Sequence, residues 1–205
     1  MIGTDFLGQS GIDSELYTSS DGDTWNNLSP VPLSPVSALE NTNTGDWYIY
    51  GLVLGVTRYY VSSDSGLTWS AATVYTSPNP GEGQVVVYFA GYYITVGATS
   101  LYVSATPDFA SYTTPVTMTL IRGCVRSGST LYVYGNDTSS SDMTAYSSTD
   151  GLTWTLIVEG VNVGDLDSGV VVIGLLTNDY LLALGGSNGE FYSYSQGFLE
   201  VQALP

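Results

Sequence analysis

The sequence predicts an all-β fold, a five-bladed β-propeller built from repeats of about 43 residues. Three observations predict it. The 205 residues include 17 Tyr and 24 Gly, and Ser, Thr and Val are abundant, which favours strands and turns. One short motif recurs at a fixed interval, and apolar and polar residues alternate in short runs between turns. With 43% hydrophobic residues, the chain can bury the core of one globular domain.

The repeated motif is clearest at 62–69, which reads SSDSGLTW. Shorter versions occur at 19–25 (SSDGDTW) and 148–154 (STDGLTW). Their aspartates lie 43 and 86 residues apart, and 86 is twice 43, so the spacing predicts decayed copies near 107 and 193. Asp108 is retained at the first of these places and Gly197 at the second. The chain therefore divides into five predicted units, at roughly 1–34, 35–78, 79–118, 119–160 and 161–205.

Each unit from the second to the fifth contains four segments with the alternation of a β-strand. In the fourth unit they read TLIRGCV, TLYVYG, TAYSS and TWTLIV, with turn-forming residues between them. The first unit is shorter and has room for three. The motif falls in the turn between the third and fourth strands, so each full unit has the form of a propeller blade.

The motif residues are predicted to hold this turn rather than to react. An Asp carboxylate accepts hydrogen bonds from backbone N–H groups one to three residues further on, and Gly permits the positive φ of a tight reversal. A hydroxyl group satisfies another backbone group, and the Trp packs its ring where the fourth strand begins. The predicted structural residues are Ser19, Asp21, Gly22, Thr24, Trp25, Ser62, Asp64, Gly66, Thr68, Trp69, Ser148, Asp150, Gly151, Thr153 and Trp154.

This pattern resembles the Asp-box family, also called bacterial neuraminidase repeats. The resemblance extends along nearly the whole chain, and 62–69 matches the motif in full. It implies a β-propeller whose boxes are structural and usually lie far from any active site. Sialidases, other glycosidases, assembly factors and viral surface proteins share the repeat, so the motif is specific for fold and not for function.

The short first unit leaves a question of closure, because an open sheet edge exposes unpaired backbone groups. The first blade could simply have three strands, residues near LEVQALP could complete it, or another chain could add a strand. We expect closure between the two termini of the chain.

The charge excludes several kinds of partner. There are 19 acidic residues, three Arg, no His and a formal net charge of −16, and the chain has no Lys. Such a surface repels nucleic acid and anionic membranes. It favours solubility, or alternatively docking of a basic partner. The segment MIGTDFLGQSG is unlike a signal peptide and no apolar stretch is of membrane-spanning length, so we expect a cytoplasmic or particle-associated protein.

An enzyme is not predicted. The family resemblance suggests a comparison with sialidases, which hold the carboxylate of their sialic acid substrate with three arginines. This chain has three arginines, Arg58, Arg122 and Arg126, but the sialidase Arg-Ile-Pro segment is absent. Arg122 and Arg126 lie four apart on one strand and should share a face. Without His there is no Ser-His-Asp or Cys-His site, and with one Cys, Cys124, there is no zinc site and no intrachain disulfide. Cys124 is expected to be a small buried residue.

Carboxylates and tyrosines offer the remaining candidates. Three carboxylate pairs would suit a glycosidase, but turn residues are the favoured interpretation: Asp13 with Glu15, Glu40 with Asp46, and Asp165 with Asp167. The segment 164–169 (GDLDSG) offers calcium ligands but is favoured as an acidic turn. An exposed set of strand tyrosines would bind glycans, whereas alternation predicts that about half of them pack between blades: Tyr48, Tyr50, Tyr59, Tyr60, Tyr92, Tyr93, Tyr102, Tyr132 and Tyr134.

The sequence thus predicts a non-enzymatic structural or surface protein with no catalytic residue, cofactor or metal. Its composition favours a phage virion component, such as a head decoration, fibre or tail protein, located on the particle. The expected partners are other virion or assembly proteins, with surface glycans as a further candidate, and no nucleic acid and no membrane. The alternatives are a glycan-binding, lectin-like propeller module, an assembly factor with a basic partner and a glycosidase.

Overall fold

The computed structural model describes residues 6–9, 16–19, 23–27, 34–53, 56–75, 86–136, 143–161, 173–176, 180–185, 190–195 and 198–203. Every regular element in these ranges is a β-strand. Their 19 strands form five antiparallel sheets, one of three strands and four of four strands. Within each sheet, strands that follow one another in the sequence are neighbours in space. The predicted all-β class is therefore confirmed.

The strands are numbered along the chain. The first sheet contains β1 (Phe6–Gln9), β2 (Leu16–Ser19) and β3 (Asn26–Asn27). The second contains β4 (Ser34–Asn41), β5 (Asp46–Val53), β6 (Val56–Ser62) and β7 (Thr73–Val74). The third contains β8 (Val86–Phe89), β9 (Tyr92–Val96), β10 (Ser100–Ser104) and β11 (Thr113–Thr117).

The last two sheets follow the same order. The fourth contains β12 (Leu120–Ser127), β13 (Thr130–Asn136), β14 (Met143–Ser148) and β15 (Thr155–Val161). The fifth contains β16 (Ile173–Leu176), β17 (Tyr180–Gly185), β18 (Glu190–Ser195) and β19 (Phe198–Ala203).

The chain divides into two compact units. The first is formed by residues 1–97 with 101–114, and the second by residues 98–100 with 115–205. The first unit holds the first two sheets and most of the third, and the second unit holds the fourth and fifth. The expected single domain, with its five residue ranges, stays a prediction.

In the second and third sheets, the second strand is buried on both of its faces. Residues 47–50 of β5 are all buried, and so are residues 93–96 of β9. Because successive side chains of a strand point to opposite faces, such a run means that both faces of the sheet are covered. The large rings of Trp47, Tyr48 and Tyr50 thereby become core rather than surface.

One expectation about the chain ends is wrong. Residues near LEVQALP were expected to complete the first sheet, but β19 pairs with β18 as the fourth strand of the fifth sheet. Only two residues separate these strands, and Ser195 is paired with Phe198. A connection of two residues favours a hairpin between the strands that it joins.

Candidate functional site

The Ser62 turn, residues 62–69, joins β6 to the segment that leads into β7. Ser62 is buried, and its hydroxyl donates to Asp64 Oδ1 at 2.7 Å and accepts the N–H of Gly66 at 2.8 Å. Gly66 adopts a φ of 87°. This value lies in the left-handed region, which glycine adopts at little energetic cost because it has no Cβ atom. Ser65, directly before it, also lies in this region, with a φ of 59°.

The carboxylate of Asp64 closes the same turn. Oδ1 accepts the backbone N–H of Thr68 at 2.8 Å, and Oδ2 accepts the Thr68 hydroxyl at 2.5 Å. These two hydrogen bonds, the hydroxyl first, lower the pKa of Asp64 from 3.8 to about 2. The backbone donor lies four residues further on rather than the one to three that the sequence predicts. Both oxygens of this carboxylate are already used within the turn.

The Ser148 turn, residues 148–154, has similar serine and aspartate contacts over a shorter span. The buried Ser148 hydroxyl donates to Asp150 Oδ1 at 3.1 Å and accepts the N–H of Gly151 at 2.8 Å. Asp150 Oδ1 accepts the backbone N–H groups of Leu152 at 2.8 Å and Thr153 at 2.7 Å. The bond from Thr153, and then that from Leu152, lowers the pKa of Asp150 from 3.8 to about 2.

The tryptophans that end these turns are half-buried and differ in their polar contacts. Trp154 Nε1 donates to the carbonyl oxygen of Gly151 at 3.2 Å. Trp69 Nε1 is buried without a hydrogen-bond partner among the described residues. Within the described residues, the indole N–H of the longer turn is therefore unsatisfied.

The first copy of the motif is only partly described. Ser19 is the last residue of β2, whereas Asp21 and Gly22 lie outside the described residues. Thr24 and Trp25 are exposed, with 43% of the Trp25 surface accessible. The decayed copy near 193 lies partly on β18, and Gly197 is outside the described residues.

The decayed copy near 107 also forms a hydrogen-bonded turn, but with different residues in the motif positions. Ser104 is buried, and its hydroxyl accepts the N–H of Thr106 at 3.1 Å, so Thr106 occupies the place that Asp64 has after Ser62. Asp108 lies two residues later, where its Oδ1 accepts the Thr106 hydroxyl at 2.6 Å and the Ala110 N–H at 3.1 Å. These bonds lower its pKa. The carboxylate therefore holds the turn from a shifted position.

Phe109 is the residue of this turn that the sequence did not single out. It has a φ of 52°, in the region that glycine occupies in the other turns, and its side chain is fully buried. Its ring centroid lies 5.0 Å from that of Tyr75. Tyr112 follows at the start of the fourth strand, where the other copies have Trp, and 41% of its surface is exposed.

A cluster of aromatic rings, the tyrosine cluster, fills the space between the second and third sheets in the first unit. Tyr93 lies edge-on to Tyr48 and Tyr88, with centroids 5.4 and 5.0 Å apart, and Tyr50 lies edge-on to Tyr75 at 5.9 Å. The Tyr50 hydroxyl donates to the carbonyl oxygen of Pro107 at 3.1 Å. Burial raises the pKa values of Tyr50, Tyr75 and Tyr93, so their hydroxyls stay protonated.

Polar side chains of β4 and the turn after it complete the same interface. Asn41 Nδ2 donates to the hydroxyl of Tyr93 at 2.9 Å, and Asn43 Nδ2 donates to that of Tyr88 at 2.7 Å. The Ser37 hydroxyl donates to the Val86 carbonyl at 3.1 Å and accepts its N–H at 3.0 Å. The Asn-rich sequence at 41–45 could signal a turn, but no local signal identifies its tyrosine partners.

The strand tyrosines are more buried than simple alternation predicts, because the adjacent Tyr59 and Tyr60 are both buried. Of the nine that the sequence singled out, Tyr48, Tyr50, Tyr59, Tyr60 and Tyr93 are buried. Tyr92, Tyr102, Tyr132 and Tyr134 are half-buried. Aromatic surface suited to sugar stacking is thus scarce in this set.

The sheet register is irregular beside the arginines of β12. The sheet register shifts between Ile121, which pairs with Gly135, and Gly123, which pairs with Tyr134. Arg122 therefore has no partner position in β13. The side chain of Arg122 lies outside the described residues, so the expectation that it shares a face with Arg126 stays a prediction. Arg126 Nε donates to the Gly128 carbonyl at 3.0 Å, and Arg58 Nε is buried without a partner among the described residues.

Among the carboxylate pairs, only Glu40 with Asp46 is described. Glu40 is paired with Trp47 and Asp46 with Asn41, so the two occupy successive ladder positions. Successive positions point to opposite faces of a sheet, and this pair therefore does not face one substrate. Asp13 with Glu15, Asp165 with Asp167, and the segment 164–169 lie outside the described residues.

Other chemistry is limited within the described ranges. No group of three or more His, Cys, Asp or Glu residues there is placed to hold a metal ion. Cys124 is half-buried, and burial of its thiol raises its pKa to about 12. The same part of the chain contains no helix with the length and apolar character needed to cross a membrane.

Comparisons with known proteins support a β-propeller fold. No family model matches the sequence, and no curated protein matches it significantly. The structure is similar to YCF48 bound to D1 peptide, with a TM-score of 0.60, 14% identity, and coverage of 97% of this chain and 64% of that one. It is similar to YCF48 from Cyanidioschyzon merolae, with a TM-score of 0.52, 13% identity, and coverage of 97% and 71%.

A Hadza microbial sialidase, Hz136, is also similar, with a TM-score of 0.51, 12% identity, and coverage of 89% of this chain and 50% of that one. The chain thus spans 64% of the peptide-bound YCF48 structure and half of the sialidase. At these identities the likeness is one of fold alone.

Proposed function

We propose that this chain is a non-catalytic β-propeller that acts through contacts with other proteins. In this proposal the five sheets are five blades, and the Ser62 and Ser148 turns are Asp boxes that hold the blade turns together. The sequence resemblance and the propeller-like structural neighbours support the fold part of the proposal.

One observation carries the functional part: the carboxylates of Asp64 and Asp150 are already engaged in hydrogen bonds within the fold. Asp64 and Asp150 accept hydrogen bonds from their own turns, and both carboxylates are held in the ionised form at neutral pH. A general acid needs a proton to give near neutral pH, and these groups have none. Burial raises the pKa values of Tyr50, Tyr75 and Tyr93, so these hydroxyls stay protonated and the rings of the tyrosine cluster serve packing.

The charge indicates the chemistry of the partner. A net charge of −16 with three Arg and no Lys attracts proteins that present Lys and Arg. Charge attraction between exposed groups is screened over about 8 Å at physiological ionic strength, so such a contact weakens as salt is added.

Cross-linking of the full chain in its native cells, followed by purification and peptide mapping, tests the proposal. We expect one partner in constant stoichiometry, with basic residues at the cross-linked sites and less recovery when high salt precedes cross-linking. A chain recovered without a constant partner at every salt concentration would contradict it. The virion expectation is tested by whether the chain co-purifies with intact phage particles.

Enzymatic turnover would overturn the proposal directly. We expect no hydrolysis from a panel of chromogenic glycosides and a fluorogenic sialoside. Hydrolysis that a single carboxylate-to-amide substitution abolishes would establish a glycosidase instead.

A glycan-binding module is the second candidate, and the exposed ring of Tyr112 favours it. Tyr112 lies edge-on to Tyr102 with centroids 5.3 Å apart, and its exposed ring offers a face on which a sugar could stack. Binding on a glycan array that Tyr112→Ala abolishes and Tyr92→Ala preserves would support this function. An array without binding would remove it.

A further inference from the structure

We propose that β1 is the acceptor edge for an extended strand donated by the partner protein. This inference rests on the proposed function and specifies how the partner binds. The donated strand would stand where the other four sheets have their own first strand.

Position relative to the motif identifies which strand of a full sheet has no counterpart among the described residues of the first sheet. In the second, third and fourth sheets, the third strand ends at the motif serine: Ser62 for β6, Ser104 for β10 and Ser148 for β14. In the first sheet β2 ends at Ser19 and is paired on one side with β1 and on the other with β3. By this equivalence β2 is a third strand, β3 a fourth and β1 a second. The position of a first strand is not filled by a described residue.

The second strand has two neighbours in every other sheet. β5 lies between β4 and β6, β9 between β8 and β10, β13 between β12 and β14, and β17 between β16 and β18. Among the described residues β1 has one neighbour, β2. A strand with one free edge presents a row of N–H and C=O groups that can pair with an added strand. The strand expected to fill this place, Phe198–Ala203, is paired within the fifth sheet.

The equivalent first strands define the side chains that such a position accepts. Leu39 of β4, Val86 and Phe89 of β8, and Ile121 of β12 are each less than 7% exposed. A donor strand should therefore be apolar in its centre. β1 is four residues long, so a donor segment of at least four extended residues matches it.

Charge defines the ends of the donor segment. Residues 1–57 contain seven acidic residues and no basic one. Lys or Arg on either side of the apolar centre would complement this charge. The structure thus assigns the donor to one class, an extended apolar segment flanked by basic residues.

Hydrogen exchange of the full chain with a synthetic peptide tests the assignment. The probe is Lys-Val-Val-Val-Tyr-Phe-Lys, which places the sequence of residues 85–89 between two lysines. We expect the backbone amides of residues 6–9 to exchange at least tenfold more slowly with the peptide, while those of the short edge strands β3 and β7 are unchanged. Unchanged exchange at 6–9 in a millimolar excess of peptide would overturn the proposal.

Two methylated peptides serve as matched controls. In a strand, alternate N–H groups point to opposite edges, so pairing with β1 uses only every second amide of the peptide. N-methylation of the peptide amides that pair with β1 should abolish the slower exchange of residues 6–9. N-methylation of the intervening amides, which point to the other edge, should preserve it. Equal protection by both methylated peptides would show that binding does not use strand pairing.

The chain without peptide provides the last test. Amides of residues 6–9 that are all slow to exchange in the isolated chain would show that its own residues already cover this edge, which overturns the proposal. Cross-links to a constant partner without slower exchange at 6–9 in the complex would leave the proposed function intact and refute the strand donation alone.

Discussion

The Ser62 turn and the Ser148 turn carry the same residue types in two different units, yet they differ in length by one residue. Both keep a serine hydroxyl on a glycine N–H at 2.8 Å. Both keep an aspartate oxygen on a threonine N–H, at 2.8 and 2.7 Å. The extra residue is accommodated by Ser65, which adopts a left-handed φ of 59° beside Gly66. The hydroxyl and carboxylate contacts therefore define the turn more than its length does.

The two turns differ in the hydrogen bonding of the tryptophan that ends each of them. Trp154 has a carbonyl acceptor within the Ser148 turn, whereas Trp69 has none among the described residues. The longer turn thus keeps the contacts of its serine and aspartate, but not the contact between its tryptophan and a carbonyl oxygen of the same turn, as far as the described residues extend. Substitutions made in parallel in both turns measure what each contact contributes.

The largest effect is expected from the serines. Ser62→Ala and Ser148→Ala each remove the acceptor of a buried glycine N–H, and an unsatisfied buried donor costs about 1–3 kcal/mol. Both variants should therefore unfold at lower urea concentration than the parent chain, with unchanged slope.

Ser63→Ala and Thr149→Ala are the matched controls for this pair, because both side chains are exposed neighbours of the buried serines. They should change the free energy of unfolding by less than about 0.5 kcal/mol. Equal small losses in all four variants would show that the buried hydroxyls contribute nothing special.

The next effect concerns the glycines. Gly66 and Gly151 have φ values of 87° and 77°, and a left-handed backbone costs an L-residue about 1–2 kcal/mol. Gly66→Ala and Gly151→Ala should destabilise by that amount in urea unfolding. Ser65→Gly should have the opposite sign and stabilise by up to about 1 kcal/mol, because Ser65 already lies in this region. A loss of stability in Ser65→Gly would contradict this account.

A smaller effect separates the tryptophans. Trp69→Phe and Trp154→Phe remove similar ring area, but only the second breaks an observed hydrogen bond. A typical hydrogen bond contributes about 0.5–1.5 kcal/mol, so Trp154→Phe should cost that much more than Trp69→Phe in thermal or urea unfolding. Equal losses would mean that the Gly151 contact is energetically neutral.

The smallest effect is expected from acid, because both carboxylates are accessible to solvent. The pKa values of Asp64 and Asp150 are about 2 in the folded chain, against about 3.9 for Asp in an unfolded chain. A lowered pKa stabilises the fold above the unfolded value, so this contribution is complete above about pH 4 and is lost as pH falls towards 2.

Urea unfolding at a series of pH values measures this contribution. Asp64→Asn and Asp150→Asn should flatten the decline in stability between about pH 4 and 2. A decline as steep as that of the parent chain in both variants would show that other groups cause it.

Much of the architecture follows from the sequence, because alternation and turn chemistry act over a few residues. The sequence predicted three strands in the first repeat and four in each of the other four repeats. The described residues contain 19 strands, in one sheet of three strands and four sheets of four. The hydroxyl and carboxylate contacts of the Ser62 turn span at most four residues, so residue type and spacing suffice to predict that a turn forms there.

The tertiary structure alone decided how distant segments meet. Asn41 and Tyr93, and Ser37 and Val86, are joined across 52 and 49 residues, and no local pattern encodes such partners. It also decided that Phe109 replaces a glycine at positive φ, that a bulge falls at Arg122, and that β19 stays with its own sheet. Local energetics selects strands and turns, whereas the choice among packed arrangements depends on rings and hydrogen-bonding groups that become neighbours only after the sheets assemble.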